Sequence, residues 1–308
     1  MYKLFDHARF PHPYSVFHDK ERWLGGFGDE LGFLNEEAPR MPKPAGEKRI
    51  FLLGNSAVRK APDTTAPPLP ALLESVFHRH GHSQVKVFNF GIEGGNCGQS
   101  LMLFVDRLVD LAPDLVILYD GAPDLCFPYH YDPRPGYPFN AYLVEIMHDV
   151  IGQGALADLE ILKLEKERRE LLRDRFQYAS DTWKEALADA YVRFIEKFMI
   201  VAKAYGINVV HVLQPVYRKL YPTDEETIIA QQTTFLEFCY EMQERALAKI
   251  ENLHPAFPDG RAYRFASFAN LFQAIPVASF MDWIHLTAQG NHLASRRLFD
   301  LVHDMVMR

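Results

Sequence analysis

Four groups of polar residues in this sequence each sit where a short apolar run ends or a helical stretch begins, and together they hold the parts of a nucleophilic site. Gly54-Asn55-Ser56 follows the run Ile50 to Leu53, and Gly91-Ile-Glu-Gly94-Gly95-Asn96 follows Val85 to Phe90. Asp120-Gly121-Ala122-Pro123-Asp124 follows Leu115 to Tyr119, and Asp282-Trp283-Ile284-His285 stands just ahead of the last helical stretch. A serine hydroxyl attacks a carbonyl only when a base within hydrogen-bond reach takes its proton, and that base needs a third group to orient it. Asp282 and His285, three residues apart on one turn, can supply orienter and base together. Backbone N–H groups at Ser56 and Gly94 can face the oxyanion that develops on the attacked carbonyl. Each group also has a plainer reading: a helix N-cap for Ser56, tight turns for the glycines, coincidence for Asp-x-x-His. Their conjunction favours chemistry, because ligands of an open parallel sheet bind outside the carboxyl ends of its strands.

The elements that must position these groups are legible from pattern. Continuous apolar runs at Ile50–Leu53, Val85–Phe90, Leu115–Tyr119 and Ile207–Leu213 fit strands buried on both faces of a parallel sheet, and a weaker run covers Ala262–Phe268. Helical stretches lie between them, as at Leu69–His80 and Ser100–Leu111, so the expected fold is a three-layer α/β/α sandwich. Its sheet is mainly parallel, with about five strands. The connection from Tyr119 to Ile207 exceeds one crossover. It begins with the aromatic, Pro-rich CFPYHYDPRPGYPFN and continues as a helical insertion over about 141–205, where KLEKERRELLRDR is charged nearly all round and reads as a solvated face. Residues 1–48 read as an N-terminal wrapping segment, and 49–308 as the domain itself. In the final stretch, Ala294, Leu298, Leu301 or Val302, and Met305 share one face of an amphipathic helix.

Composition limits the partners. The net charge of −7 gives no electrostatic support to a nucleic-acid partner, and no stretch approaches the ~20 apolar residues of a membrane span. Cys97, Cys126 and Cys239 are odd in number and show no CxxC spacing, which fits a reducing compartment. With no signal-peptide pattern at the N-terminus, the reading is cytoplasmic; a chain trimmed of an export signal reads the same. His78, His80 and His82 invite a metal reading, but they fall at a helix end without accompanying carboxylates or cysteines, so no metal site is assigned.

The blocks FLLGNSAV, NFGIEGGN, YDGAPDL and FMDWIHLTAQGNHLA, in that order, resemble the motifs of the SGNH (GDSL-like) hydrolases. The resemblance runs from about Lys48 to the C-terminus, and HVLQPVYRKLYPTDEE is similar to a stretch found after the fourth strand in members linked to glycan tailoring. It implies a flavodoxin-like arrangement of the sheet. It implies Ser56 as nucleophile, His285 as general base and Asp282 as its orienter, with Ser56 and Gly94 as backbone oxyanion donors. It implies no cofactor, and cleavage of a small-molecule or carbohydrate O-acyl ester, such as an O-acetyl glycan, through an acyl-enzyme. One position departs from the pattern. The family's third block places an oxyanion-binding asparagine where this chain has Pro123, which has neither a side-chain donor nor a backbone N–H.

Three readings follow from Pro123. Another side chain, Asn96 or Asn55, substitutes as donor. The enzyme is slow. Or hydrolysis is lost and the fold serves as a glycan-binding or scaffold module. Acyl transfer by the same three residues is a further alternative. The loop carrying Tyr129, Tyr131, Arg134 and Tyr137 is expected to overhang the pocket, where aromatic platforms with one Arg suit a carbohydrate or an anionic acyl carrier, or else pack on the N-terminal segment.

Overall fold

The computed structural model describes residues 9–12, 16–19, 31, 33–60, 66–153, 158–217, 226–253, 262–273 and 279–307. Two short strands, β1 (Arg9–His12) and β2 (Val16–Asp19), pair antiparallel near the N-terminus. Most of the rest of the expected wrapping segment before residue 33, and the second half of HVLQPVYRKLYPTDEE, lie outside the described residues.

The main sheet has five strands, all parallel: β3 (Lys48–Gly54), β4 (Val85–Gly91), β5 (Leu115–Asp120), β6 (Asn208–Leu213) and β7 (Tyr263–Ser267). Their order is β4-β3-β5-β6-β7, the flavodoxin-like arrangement that the family resemblance implies. Successive side chains of a strand point to opposite faces, and both faces of β3 are apolar. Phe51 and Leu53 join one core with Phe90, Val116, Leu118, Trp183 and Phe198. Ile50 and Leu52 join the other with Leu115, Ile117, Leu73, Phe77 and Leu298. Burial on two sides therefore accounts for continuous rather than alternating hydrophobicity.

Helices cover both faces. The second core is closed by α2 (Leu69–Arg79) and α9 (Ala288–Val306), on which Ala294, Leu298, Val302 and Met305 are buried. The first is closed by α3 (Cys97–Leu103), α4 (Ala122–His130), α7 (Asp181–Ala204) and α8 (Glu226–Glu251). The short α1 (Ser56–Arg59) follows β3 directly. At the exposed edge of the sheet, side chains stand in for a missing strand: Val87 N–H donates to Glu74 Oε2 at 2.8 Å and Asn89 N–H to Asn35 Oδ1 at 2.6 Å. Among the described residues, no helix is long and apolar enough to cross a membrane.

Between β5 and β6 the chain forms α4, α5 (Phe139–Gln153), α6 (Asp158–Arg175) and α7. As expected of a solvated face, α6 keeps Lys163, Glu167, Glu170 and Leu171 exposed, but three of its arginines also reach neighbouring elements. Arg173 donates to Tyr129 O at 2.9 Å and Arg169 to His130 O at 3.2 Å, while Arg168 pairs with Glu145 at 2.6 Å. Tyr129 and His130 end α4, so their carbonyls lack intrahelical partners. The arginines supply those partners, an arrangement that composition and periodicity do not reveal.

Candidate active site

β3 ends at Gly54, where φ is +156° and a Cβ would lie 2.1 Å from Tyr119 O of the neighbouring strand. Only glycine fits there, and it brings the turn close against β5. Asn55 then caps α1, its Oδ1 accepting from Ala57 N–H at 3.0 Å. Because Asn55 takes the capping role expected of a serine in that position, the Ser56 hydroxyl is left for another partner. That partner is His285, whose Nε2 lies 2.9 Å from Ser56 Oγ.

The Asp282–His285 turn is held at several points. Met281 N–H donates to His285 O at 2.8 Å, Thr287 N–H to Ser279 O at 3.0 Å, and Tyr217 N–H to Trp283 O at 2.8 Å. Ile284 is buried beneath the turn, and Thr287 caps α9 by accepting from Gly290 N–H at 3.2 Å. Asp282 Oδ1 accepts the backbone N–H groups of Ile284 and His285 at 2.8 and 2.7 Å, and Oδ2 lies 2.6 Å from His285 Nδ1. Partial burial works against the charge on Asp282, but the bonds from the His285 ring and from these backbone N–H groups outweigh it and hold the carboxyl below its ordinary range. An ionised carboxylate only accepts, so His285 Nδ1 carries the ring proton and Nε2 is left to accept from the serine hydroxyl.

The remaining nominated residues are distributed as follows. Gly94 has φ +60°, and a Cβ there would meet the Phe139 ring at 3.2 Å. Its loop is anchored by Asn140 Nδ2, which donates to Glu93 O at 3.1 Å, and the Gly94 N–H takes no acceptor among the described residues. Asn96 caps α3 in a reciprocal box with Gln99, accepting from Gln99 N–H at 3.1 Å, and its Nδ2 donates to Gly136 O at 3.0 Å. Asn55 Nδ2 donates to Gln214 Oε1. Both asparagines named as substitutes for the missing donor are therefore occupied as helix caps.

At the end of β5 the polar groups turn inward. Asp120 Oδ1 accepts from Tyr191 OH at 2.7 Å, and Tyr191 OH lies 2.8 Å from His211 Nε2. Asp124 takes the Cys97 N–H with both oxygens, at 3.0 and 3.2 Å. Burial, and then the nearby Asp120, push the Asp124 carboxyl well above its usual range. Pro123 is buried in the first turn of α4, a place that suits its missing N–H.

The aromatic loop divides. Tyr129 packs inward against Phe238 and Phe235. Arg134 stacks 3.5 Å over the Tyr137 ring and is neutralised by Asp132 at 2.8 Å and Glu145 at 2.7 Å, so it offers no open cation for an anionic carrier. An aromatic chain that no sequence motif marks runs from Phe139, over Gly94, through Phe127 to Trp283 and Phe235, with ring centroids 4.9, 5.5 and 5.0 Å apart. The histidines of the His78–His82 stretch have structural partners: His78 meets Val85 O at 2.9 Å, His80 meets Val76 O at 2.9 Å, and His82 meets His303 at 2.9 Å. Among the described residues, no three His, Cys, Asp or Glu side chains converge as a metal site. Cys97, Cys126 and Cys239 are buried thiols.

No protein-family profile matches this sequence, and no curated protein matches it either. Solved structures with a similar chain path include an acetyl xylan esterase at 12% identity and TM-score 0.45, covering 82% of this chain and 99% of the other. An acetylxylan esterase from Geobacillus stearothermophilus aligns at 12% identity and TM-score 0.44, over 82% of this chain and 93% of its own. A GDSL-like lipase from Bacteroides thetaiotaomicron aligns at 16% identity and TM-score 0.46, over 86% and 92%. At such identities nothing about substrate carries over.

Proposed function

We propose that this protein is a serine esterase or deacylase of SGNH type that cleaves a small O-acyl ester, such as an O-acetyl group on a glycan, through an acyl-enzyme. The observation that carries this reading is the chain Asp282 Oδ2–His285 Nδ1 and His285 Nε2–Ser56 Oγ, at 2.6 and 2.9 Å, joining residues 229 positions apart. Ser56 Oγ attacks the ester carbonyl as His285 Nε2 takes its proton, and Asp282 stabilises the imidazolium that results. The N–H groups of Ser56, first residue of α1, and of Gly94 receive the oxyanion. Collapse of the tetrahedral intermediate expels the alcohol, which takes the proton from His285. Water, deprotonated by the same ring, then frees the acid. Ser56 is 5% exposed.

Wild type should turn over p-nitrophenyl acetate and be labelled at one site by a fluorophosphonate, and Ser56→Ala should lose both. Folded wild type inert to both reagents would contradict the esterase reading and favour the binding-module alternative that Pro123 suggests.

A further inference from the structure

We propose that Gln214 supplies the oxyanion-binding amide that Pro123 cannot, so that the third donor of this site comes from the turn after β6 rather than from the turn after β5. The inference rests on the esterase reading above. Gln214 is fully buried and follows Leu213, the last residue of β6. Its backbone N–H donates to Asp120 O at 2.9 Å, beside the Gly121-Ala122-Pro123 turn. Its side chain reaches Asn55, the residue before Ser56. Gln214 therefore links the end of β5 to the residue that precedes Ser56.

The orientation of its amide follows from its neighbours. Asn55 Oδ1 is committed to Ala57 N–H, so Asn55 presents Nδ2, and Gln214 must present Oε1 to it. Gln214 Nε2 is then not engaged by Asn55, and it is buried with no acceptor among the described residues. A buried amide N–H without an acceptor is unfavourable, and native proteins retain few. Gln243 Nε2 fixes the same residue from behind by donating to Gln214 O at 2.8 Å. The other two candidate amides, Asn55 and Asn96, are held in capping bonds. As Ser56 attacks, charge grows on the carbonyl oxygen, and the soft terminal torsion of a glutamine lets its N–H follow that oxygen. Screened from bulk water, such a bond gains strength as the charge develops.

Two substitutions separate donation from simple support of Asn55. Gln214→Glu keeps an oxygen for Asn55 Nδ2 but removes the N–H donor, and Gln214→Leu removes both. With p-nitrophenyl acetate, both variants should lose on the order of 10²–10³-fold in kcat with little change in KM. A boronic acid that mimics the tetrahedral adduct should lose affinity in parallel. Pro123→Asn added to Gln214→Leu should recover about tenfold or more of the lost kcat by restoring a donor at the third turn. A Gln214→Glu enzyme within about threefold of wild type would overturn the assignment and leave Gln214 a positioning residue. If the buried carboxylate prevents folding, absence of recovery in the Pro123→Asn, Gln214→Leu double variant overturns it instead. A wild type inert to substrate and fluorophosphonate would strike the esterase reading itself; an active wild type with undiminished variants strikes this inference alone.

Discussion

The turns after β3 and β5 lie side by side at one edge of the sheet, and they direct their polar atoms in opposite ways. After β3, Asn55 takes the local capping duty and leaves the Ser56 hydroxyl facing His285. After β5, Asp120 bonds Tyr191, Asp124 bonds the Cys97 N–H, and Pro123 is packed into the first turn of α4. The first turn sends its serine hydroxyl to a distant loop, and the second sends its polar atoms to the interior. The comparison teaches that the third turn anchors its polar groups inward, so that under the esterase proposal a third donor has to come from elsewhere. Gln214, one strand further along, holds the only link between the end of β6 and Asn55 among the described bonds.

The comparison can be broken from the reactive side first. Asp282→Asn keeps the shape of the turn but no longer holds His285 with its proton on Nδ1. The loss of kcat should be on the order of 10³–10⁴-fold, measured by steady-state kinetics on protein of unchanged stability. A loss of less than tenfold would mean that the Asp282 bond is structural.

The inward side should answer in stability rather than rate. Arg173 satisfies the Tyr129 carbonyl at the end of α4 and lies over the Tyr178 ring. Arg173→Ala should cost about 1–2 kcal/mol in denaturant unfolding, consistent with one charged hydrogen bond to a partly buried carbonyl. An unchanged midpoint would mean that the Arg173 bond adds nothing to stability.

The smallest effect concerns Asp124. A carboxyl whose pKa is higher folded than unfolded binds more protons in the native state, so stability falls as pH rises from the ordinary carboxylate range toward the raised value. Asp124→Asn keeps an acceptor for Cys97 N–H and removes the buried charge. Its Tm should therefore gain on wild type as pH rises through that window; parallel Tm profiles would show that Asp124 is not strained by burial.

Much of this was legible in the residues. Continuous apolar runs marked the strands because both faces of the sheet are covered. The rule that sites gather at strand ends nominated Ser56, Gly94, Asp282 and His285, and the structure joins three of these in one hydrogen-bonded chain. The same rule also points to Gln214-Pro215 after β6, but that group matches no familiar catalytic pattern. The role of Asn96 was readable in its three-residue spacing from Gln99, a capping pattern. The inward arginines of α6 and the orientation of the Gln214 amide were not readable, since each is set by partners tens of positions or more away.

The most direct test of the central claim is to quench the reaction of wild type with an activated acyl ester and locate the acyl group by peptide mass spectrometry. The account predicts one acyl group on the peptide carrying Ser56, absent from Ser56→Ala and reduced in Asp282→Asn. An acyl group on another residue, or turnover that survives Ser56→Ala, would contradict it.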